Sequence, residues 1–500
     1  MSHLLSLVVF LPLAGLLVLL FAPGGRFRLL RLIANAAAAI TFVASLFLMP
    51  PFVNGAARLD ASPFQFVERA AWIPSIGAQY LIGIDGISLL LVLLTTLISL
   101  IAIMASWNMN PDRTKLYYAM ILLLETGVLG VFVSLDLFLF YLFWDVVLIP
   151  MYFIIGIYGG PRRSYAAMKF FLYTLFGSVF LLLGFLGIYI ENGRATGVYT
   201  FELAKLAQAD LPFDVQQWIF WALFLGFAVK VPMFPLHTWL PDAHVEAPTA
   251  GSVLLASLLL KMGVYGFLRF SLPLVPRAAT SPGIVNVMVV LSLVAIIYGA
   301  LVCLVQRDWK SLVAYSSVSH MGFCTLGIFA LNFNGLTGSV LEQINHGIST
   351  GLLFLLVGFI YDRRHTREIA DFGGIARVMP LFATVFGIAV FSSAGLPLLN
   401  GFIGEFTILS GAFLANRTWA AVAVLGIVLS AAYLLWLFQR TMLGPLRYDV
   451  NRTLTDLTTR ERVIVLPLVA LAFAIGLYPA PLFQLLRPAV NALLVQVHRP

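Results

Sequence analysis

The chain has 500 residues, of which 61% are hydrophobic and only 10% are charged. Soluble domains carry about 25% charged residues, so a soluble fold is excluded and a membrane protein with many spans remains. The formal net charge of +8 comes from basic residues in short loops between apolar runs, where they specify orientation, so no nucleic-acid partner is expected.

Apolar runs of about 20 residues predict an all-α bundle of about fourteen transmembrane helices. They begin near residues 3, 30, 84, 116, 135, 165, 217, 248, 284, 311, 337, 379, 418 and 462. The first run, from Leu4 to Ala22, has no basic n-region and no clear small-residue cleavage site, so it reads as a retained helix. Lys and Arg concentrate in the odd-numbered loops, which places those loops in the cytoplasm and both termini on the opposite side. After the second span, residues 53 to 83 read as an irregular loop. Residues 201 to 211, FELAKLAQADL, have helical apolar spacing and read as a surface helix. The tail after Pro479 is expected to be short, without a long lateral helix.

In span 4 (ILLLETGVLG), Glu125 is a buried acid that either exchanges partners with Asp145 or is hydrogen-bonded in a structural role. Asp145 lies in the middle of span 5, where a lone carboxylate is driven neutral by desolvation. Lys230 is the obvious ammonium to face it, and a static ion pair is the plain alternative. Span 7 breaks after Lys230, because Pro232, Pro235 and Pro241 cannot donate N–H groups. Span 8 carries Lys261 in its middle. A lysine at that depth needs a partner, water or a task, and freed backbone groups are tolerated only in protein or beside a water-filled cavity.

His320 and His346 sit one each on spans 10 and 11, among serines and amides. Such imidazoles can pass protons near neutral pH, can ligate a haem as a pair, or can be structural. Span 12 is interrupted around Gly395, Pro397 and Gly401, with Glu405 just beyond. Lys230 and Glu405 stand 175 residues apart, as do Asp145 and His320, which matches two adjacent repeats of five spans. Five is odd, so the repeats must be inverted. The expected division is 1–115 for the first three helices, 116–271 and 284–443 for the repeats, and 444–500 for the last helix and tail. No metal site is expected, since His237, Asp242, His244 and Glu246 in loop 7 match no zinc spacing. Cys303 and Cys324 fall short of the four thiols an iron–sulfur cluster takes, and no nucleotide fingerprint exists.

The stretches FAVKVPMFPLHTWLPDAHVEAPTAGSVLLASLLLKMGVYG, QRDWKSLVAYSSVSHMG and GFIGEF resemble the antiporter-like subunits of respiratory complex I and of the multisubunit sodium/proton antiporters. The resemblance implies a proton-translocating membrane-arm subunit of NADH:quinone oxidoreductase, with no cofactor or redox centre in this chain. It implies neighbours of the L and N types, a lipid bilayer around it, and a bacterial plasma membrane. Asp145 and Lys230 then correspond to the charge pair of the input half-channel, and Lys261 to the central lysine. His320 and His346 correspond to bridging histidines, and Glu405 to the terminal acid of the output half-channel. The family usually has glutamate where this chain has Asp145, so contact with Lys230 is expected to be looser. Glu405 separates the chain from the L and N types, which usually have lysine there. A cation/proton antiporter subunit and a subunit binding haem or quinone directly are the alternatives.

Overall fold

Inside hydrocarbon, every backbone N–H and C=O must be bonded within its own segment, and the apolar runs satisfy this by becoming helices. The computed structural model describes residues 3–53, 64–108 and 113–498. Residues 54–63 of the expected irregular loop lie outside the described residues.

The helices in chain order are α1 (Leu4–Phe21), α2 (Phe27–Leu46), α3 (Gly86–Ala105), α4 (Thr114–Val133), α5 (Leu137–Val146), α6 (Leu148–Tyr158), α7 (Arg163–Thr196) and α8 (Phe213–Lys230). They continue with α9 (Trp239–Glu246), α10 (Thr249–Leu274), α11 (Pro282–Leu304), α12 (Trp309–Phe329) and α13 (Phe333–Arg364). The last are α14 (Pro380–Ser393), α15 (Asn400–Ala415), α16 (Arg417–Met442), α17 (Thr459–Leu477) and α18 (Ala480–Val497). Among the described residues, 12 helical segments are long and apolar enough to cross a membrane by length and composition. An element stands near each of the fourteen expected starts.

Two local expectations are corrected, and two further segments carry helices that the sequence left unspecified. Residues beyond the masked part of the first external loop form an antiparallel hairpin, β1 (Gln65–Ile73) and β2 (Ala78–Ile84), with Ala70 opposite Tyr80. Most of β1 is exposed, so it carries little apolar alternation to read. Of residues 201 to 211, only Leu203–Leu206 is helical, because so short an isolated helix is marginal. In its place, Glu202 fastens the segment to the hairpin: Arg69 Nη2 lies 2.5 Å and Lys205 Nζ 3.0 Å from its carboxylate. Burial pushes the Glu202 carboxyl up, but these two cations outweigh it and hold the group below its ordinary range. Loop 7 contains a helix, α9, which buries Trp239, Leu240, Ala243 and His244. The tail is an 18-residue helix, α18, whose buried Leu486, Ala489, Val490, Leu493 and Val497 follow amphipathic spacing.

By packing, the chain forms two compact units. One comprises Met1–Val231, Leu258–Val287 and Phe483–Pro500, and the other Pro232–Ser257 and Met288–Leu482. Within the first, α8 and α10 meet at Gly263. A Cβ there would lie 2.7 Å from the Phe227 carbonyl oxygen and 2.7 Å from Val231 Cγ2. The absent side chain lets α10 lie directly against the end of α8, where Lys230 stands.

Enlarging this contact forces the two helices apart, and overpacking of this kind costs about 1–3 kcal/mol. Gly263→Val is therefore expected to lower the thermal inactivation temperature of the membrane-extracted protein more than Gly263→Ala does. Equal temperatures for Val, Ala and wild type would show that the contact is slack.

Candidate functional site

In the first unit, Asp145 is the penultimate residue of α5, half-buried just before the helix breaks at Val147. Pro150, in the first turn of α6, has no N–H for the Val146 carbonyl, so the helix cannot run through unperturbed. Ser178 of α7 donates a hydrogen bond to Asp145 Oδ1, and Tyr141 Oη lies 3.2 Å from the same serine hydroxyl. Lys230 is the last residue of α8 and is buried. Its Nζ lies 5.3 Å from the centroid of the Trp144 ring and 5.7 Å from that of Phe170. Ring faces attract ammonium, most strongly when both are desolvated.

Among the described residues, Lys230 Nζ makes no hydrogen bond, and no ion pair within 4.0 Å joins it to Asp145. The expected facing pair is therefore an apposed one. Asp145 follows Trp144, the ring on which Lys230 rests, but its nearest hydrogen-bond donor is Ser178. The short aspartate side chain and the neighbouring Trp144 ring account for the separation. Glu125 on α4 is buried, and neither carboxylate oxygen has a hydrogen-bond partner among the described residues. Among the described residues it therefore has no hydrogen-bonded structural role.

Lys261 is fully buried in α10. π-helical turns flank it at Leu255–Leu259 and Phe267–Ser271. Such turns widen the helix, leave backbone groups out of register, and occur frequently at functional sites.

In the second unit, α12, α13 and α15 bring three ionisable groups together. His320 Nδ1 lies 3.1 Å from Glu405 Oε1 and 3.9 Å from Glu342 Oε1, with all three side chains buried. The His320 and His346 rings are 5.6 Å apart between centroids, inclined at 62°. Glu405 sits in α15, after the interruption between Ser393 and Asn400. Two amides fasten that interruption to α13: Asn345 Nδ2 donates to the Asn400 carbonyl at 2.7 Å, and Asn400 Nδ2 donates back to the Asn345 carbonyl at 3.2 Å. Gly395 has φ +74°, and a Cβ there would stand 2.6 Å from Glu405 Oε2. Only glycine both turns the chain this way and leaves room for the carboxylate.

The donor atoms of His320, Glu342 and Glu405 lie within 4.8 Å of one another, so this is also the described cluster that could converge on a divalent cation. Glu342 lies four residues before His346, so the two share a face of α13. The structure makes it a direct neighbour of His320.

Comparison with known proteins gives a consistent result. The family described as NADH:quinone oxidoreductase/Mrp antiporter, TM, matches residues 134–430, and that described as NADH-ubiquinone oxidoreductase chain 4, amino terminus, matches residues 64–130. The chain is 47% identical to NADH-quinone oxidoreductase subunit M of Rhodobacter capsulatus, covering 100% of this chain and 98% of that one. It is 44% identical to NADH-ubiquinone oxidoreductase chain 4 of Arabidopsis thaliana, covering 98% and 96%. A chain in the structure of respiratory complex I from Thermus thermophilus with bound NADH superposes with TM-score 0.88 at 32% identity, covering 99% of this chain and all of that one. The Mrp complex from Dietzia sp. DQ12-45-1b shares the fold, with TM-score 0.82 at 22% identity over 99% of this chain and 52% of that one.

If Ser178 positions Asp145, then Ser178→Ala should slow proton uptake by vesicles carrying the chain. Leaving an acceptor without its donor is worth about 1–3 kcal/mol. In an Asp145→Asn background the same substitution should have little further effect. A double-mutant cycle measures this coupling, and strictly additive losses would mean that the two residues act separately.

Proposed function

The chain belongs to the NADH:quinone oxidoreductase and Mrp antiporter family, and on that premise we propose how its buried groups move protons. It is an antiporter-like, proton-pumping subunit of the complex I membrane arm, and so part of an oxidoreductase complex that contains further membrane-arm subunits. Full-length similarity to subunit M and chain 4 proteins decides against a stand-alone antiporter subunit.

The proposed carriers are Asp145, Lys230 and Lys261 in residues 116–271, and His320, His346 and Glu405 in residues 284–443. Glu125 is an accessory acid, and Glu342 joins the His320 cluster. The observation that carries this reading is the Lys230 site. A buried ammonium rests on ring faces with no hydrogen-bond acceptor, while its nearby acid is engaged by a serine. Movement of Asp145 towards Lys230 stabilises the ammonium, and movement back to Ser178 withdraws that support. The same two positions of one carboxylate thus switch Lys230 between taking a proton and giving it up. At the other end, His320 passes a proton between Nδ1 and Glu405 Oε1 across their 3.1 Å contact.

No redox centre is assigned to this chain, and electrons are handled by other subunits of the complex. Support comes from the surroundings of His320, whose Nδ1 lies 3.1 Å from Glu405 Oε1 and 3.9 Å from Glu342 Oε1, acidic neighbours that suit a proton relay. The L- and N-type subunits are the proposed neighbours. The basic odd-numbered loops support both termini facing the non-cytoplasmic side of a bacterial plasma membrane.

Two experiments test the reading. Lys230→Ala should abolish most quinone-linked NADH oxidation and proton uptake while the complex still assembles on a native gel. Full activity in an assembled variant would remove Lys230 from the path. Glu405→Gln should block proton release, Glu405→Asp should retain part of it, and Glu405→Lys should be tolerated better than Glu405→Ala.

The carboxylate switch makes a separate demand. Asp145→Asn should stop pumping per assembled complex with little change in volume, whereas Asp145→Glu should keep it by lengthening the reach towards Lys230. Removing one partner of a buried charge pair costs about 3–5 kcal/mol, so assembly is measured on the same membranes. Normal pumping by the assembled Asn variant would overturn the switch.

A further inference from the structure

A second group of buried polar side chains lies in the first unit, away from Asp145 and Lys230. Lys261, Tyr265 and Arg269 follow one another at steps of four along α10, so they share a face. Arg269 lies about 12 Å beyond Lys261 by helix rise. Its Nη2 is 2.6 Å from Asp85 Oδ2, with only 10% of the arginine and 3% of the aspartate side chain exposed. Asp85 also caps α3, where its Oδ1 accepts from the Ser88 N–H at 2.9 Å. The Arg269 guanidinium is stacked on the rings of Phe64 at 4.9 Å and Tyr265 at 5.3 Å.

Both members of the ion pair line a cavity of about 340 Å³, walled further by Leu203, Gln208, Leu493 and Gln496. Polar groups lead inward from it. Ser88 Oγ lies 3.2 Å from Tyr265 Oη, and the tyrosine donates to the Phe132 carbonyl at 3.0 Å. Two hydroxyls in contact beside the Asp85–Arg269 pair, one of them on the α10 face that carries Lys261, are the parts of a proton wire. The arginine disables it. Its Nε donates to Tyr265 Oη at 3.1 Å and its Nη2 to Ser88 Oγ at 3.3 Å. A relay needs oxygens free to turn and accept an incoming proton, and each of these two gives one of its lone pairs to an N–H of a guanidinium that stays protonated in proteins. The fixed positive charge also repels an approaching hydronium, as arginines do in water-selective pores.

We propose that Arg269, clamped by Asp85, is an electrostatic stopper that keeps protons in this cavity from reaching Lys261. It lets the first half of the chain exchange protons by one route only. The inference rests on Lys261 being a proton carrier, and the test separates the two.

The test uses the whole complex in sealed proteoliposomes, with an imposed pH gradient and no NADH. Arg269→Met should speed collapse of the gradient about tenfold, equivalent to about 1.4 kcal/mol of lost barrier. NADH oxidation should continue, now poorly coupled to pumping. Asp85→Asn/Arg269→Met should leak equally, since it leaves no unpaired charge and asparagine still caps α3. Arg269→Lys should stay within about twofold of wild type because the positive charge remains. Adding Lys261→Met to Arg269→Met should restore the wild-type rate. Gradient collapse at the wild-type rate in both assembled Met variants overturns the stopper, as does a leak that persists without Lys261. Normal NADH-driven pumping by Lys261→Met alone would instead remove Lys261 from the path.

Discussion

The structure depends on how a lysine ammonium is kept inside hydrocarbon at the end of a broken helix. An isolated charge at the bilayer centre costs roughly 2.5–3.5 kcal/mol on insertion scales. Lys230 offsets that with two ring faces rather than with a fixed acceptor. A tight buried salt bridge would hold its proton permanently. Ring faces hold a cation without taking a hydrogen bond from it, so the same pocket tolerates ammonium and amine. Gly263 serves this placement, because its missing side chain lets α10 lie against the end of α8, where Lys230 stands.

The second unit arranges its ionisable groups differently. His320, Glu342 and Glu405 gather their polar atoms within 4.8 Å of one another, and His320 Nδ1 already contacts Glu405 Oε1 at 3.1 Å. The interruption before α15 is fastened by reciprocal amide bonds to α13, and Gly395 clears space for the acid. One site thus holds a carboxylate apart from its lysine, and the other a close cluster of acids and histidine. A single geometric rule for buried charges would not describe both.

Much of this was legible in the sequence. Long apolar runs have few alternatives to helices in a bilayer, and Pro232, Pro235 and Pro397 mark their interruptions by chemistry alone. Lys230, Lys261 and Glu405 announce themselves because charge is rare at such depth. What could not be read depends on distance. Nothing in the spacing shows that Asp145 leans on Ser178, or that Glu405 and Glu342 both stand close to His320 Nδ1. The hairpin at Gln65–Ile84 escaped because its first strand is mostly exposed and its second mostly buried, so neither alternates cleanly, and α18 because its amphipathic spacing follows Pro479 and includes Pro488. Asp85 and Arg269 lie 184 residues apart at span ends, where charges are ordinary, so only the fold shows that they pair.

The course of the last helix bears on how the protein is made. Residues from Phe483 onwards pack with the unit built mainly from the first 231 residues, whereas the chain just before them packs with the other unit. Domains generally fold as units as they leave the ribosome, N-terminal first. Here the earliest-synthesised unit lacks a wall until the final segment emerges, so the two units mature in reverse of their order of synthesis. A premature stop near the end would therefore damage the part of the protein translated first.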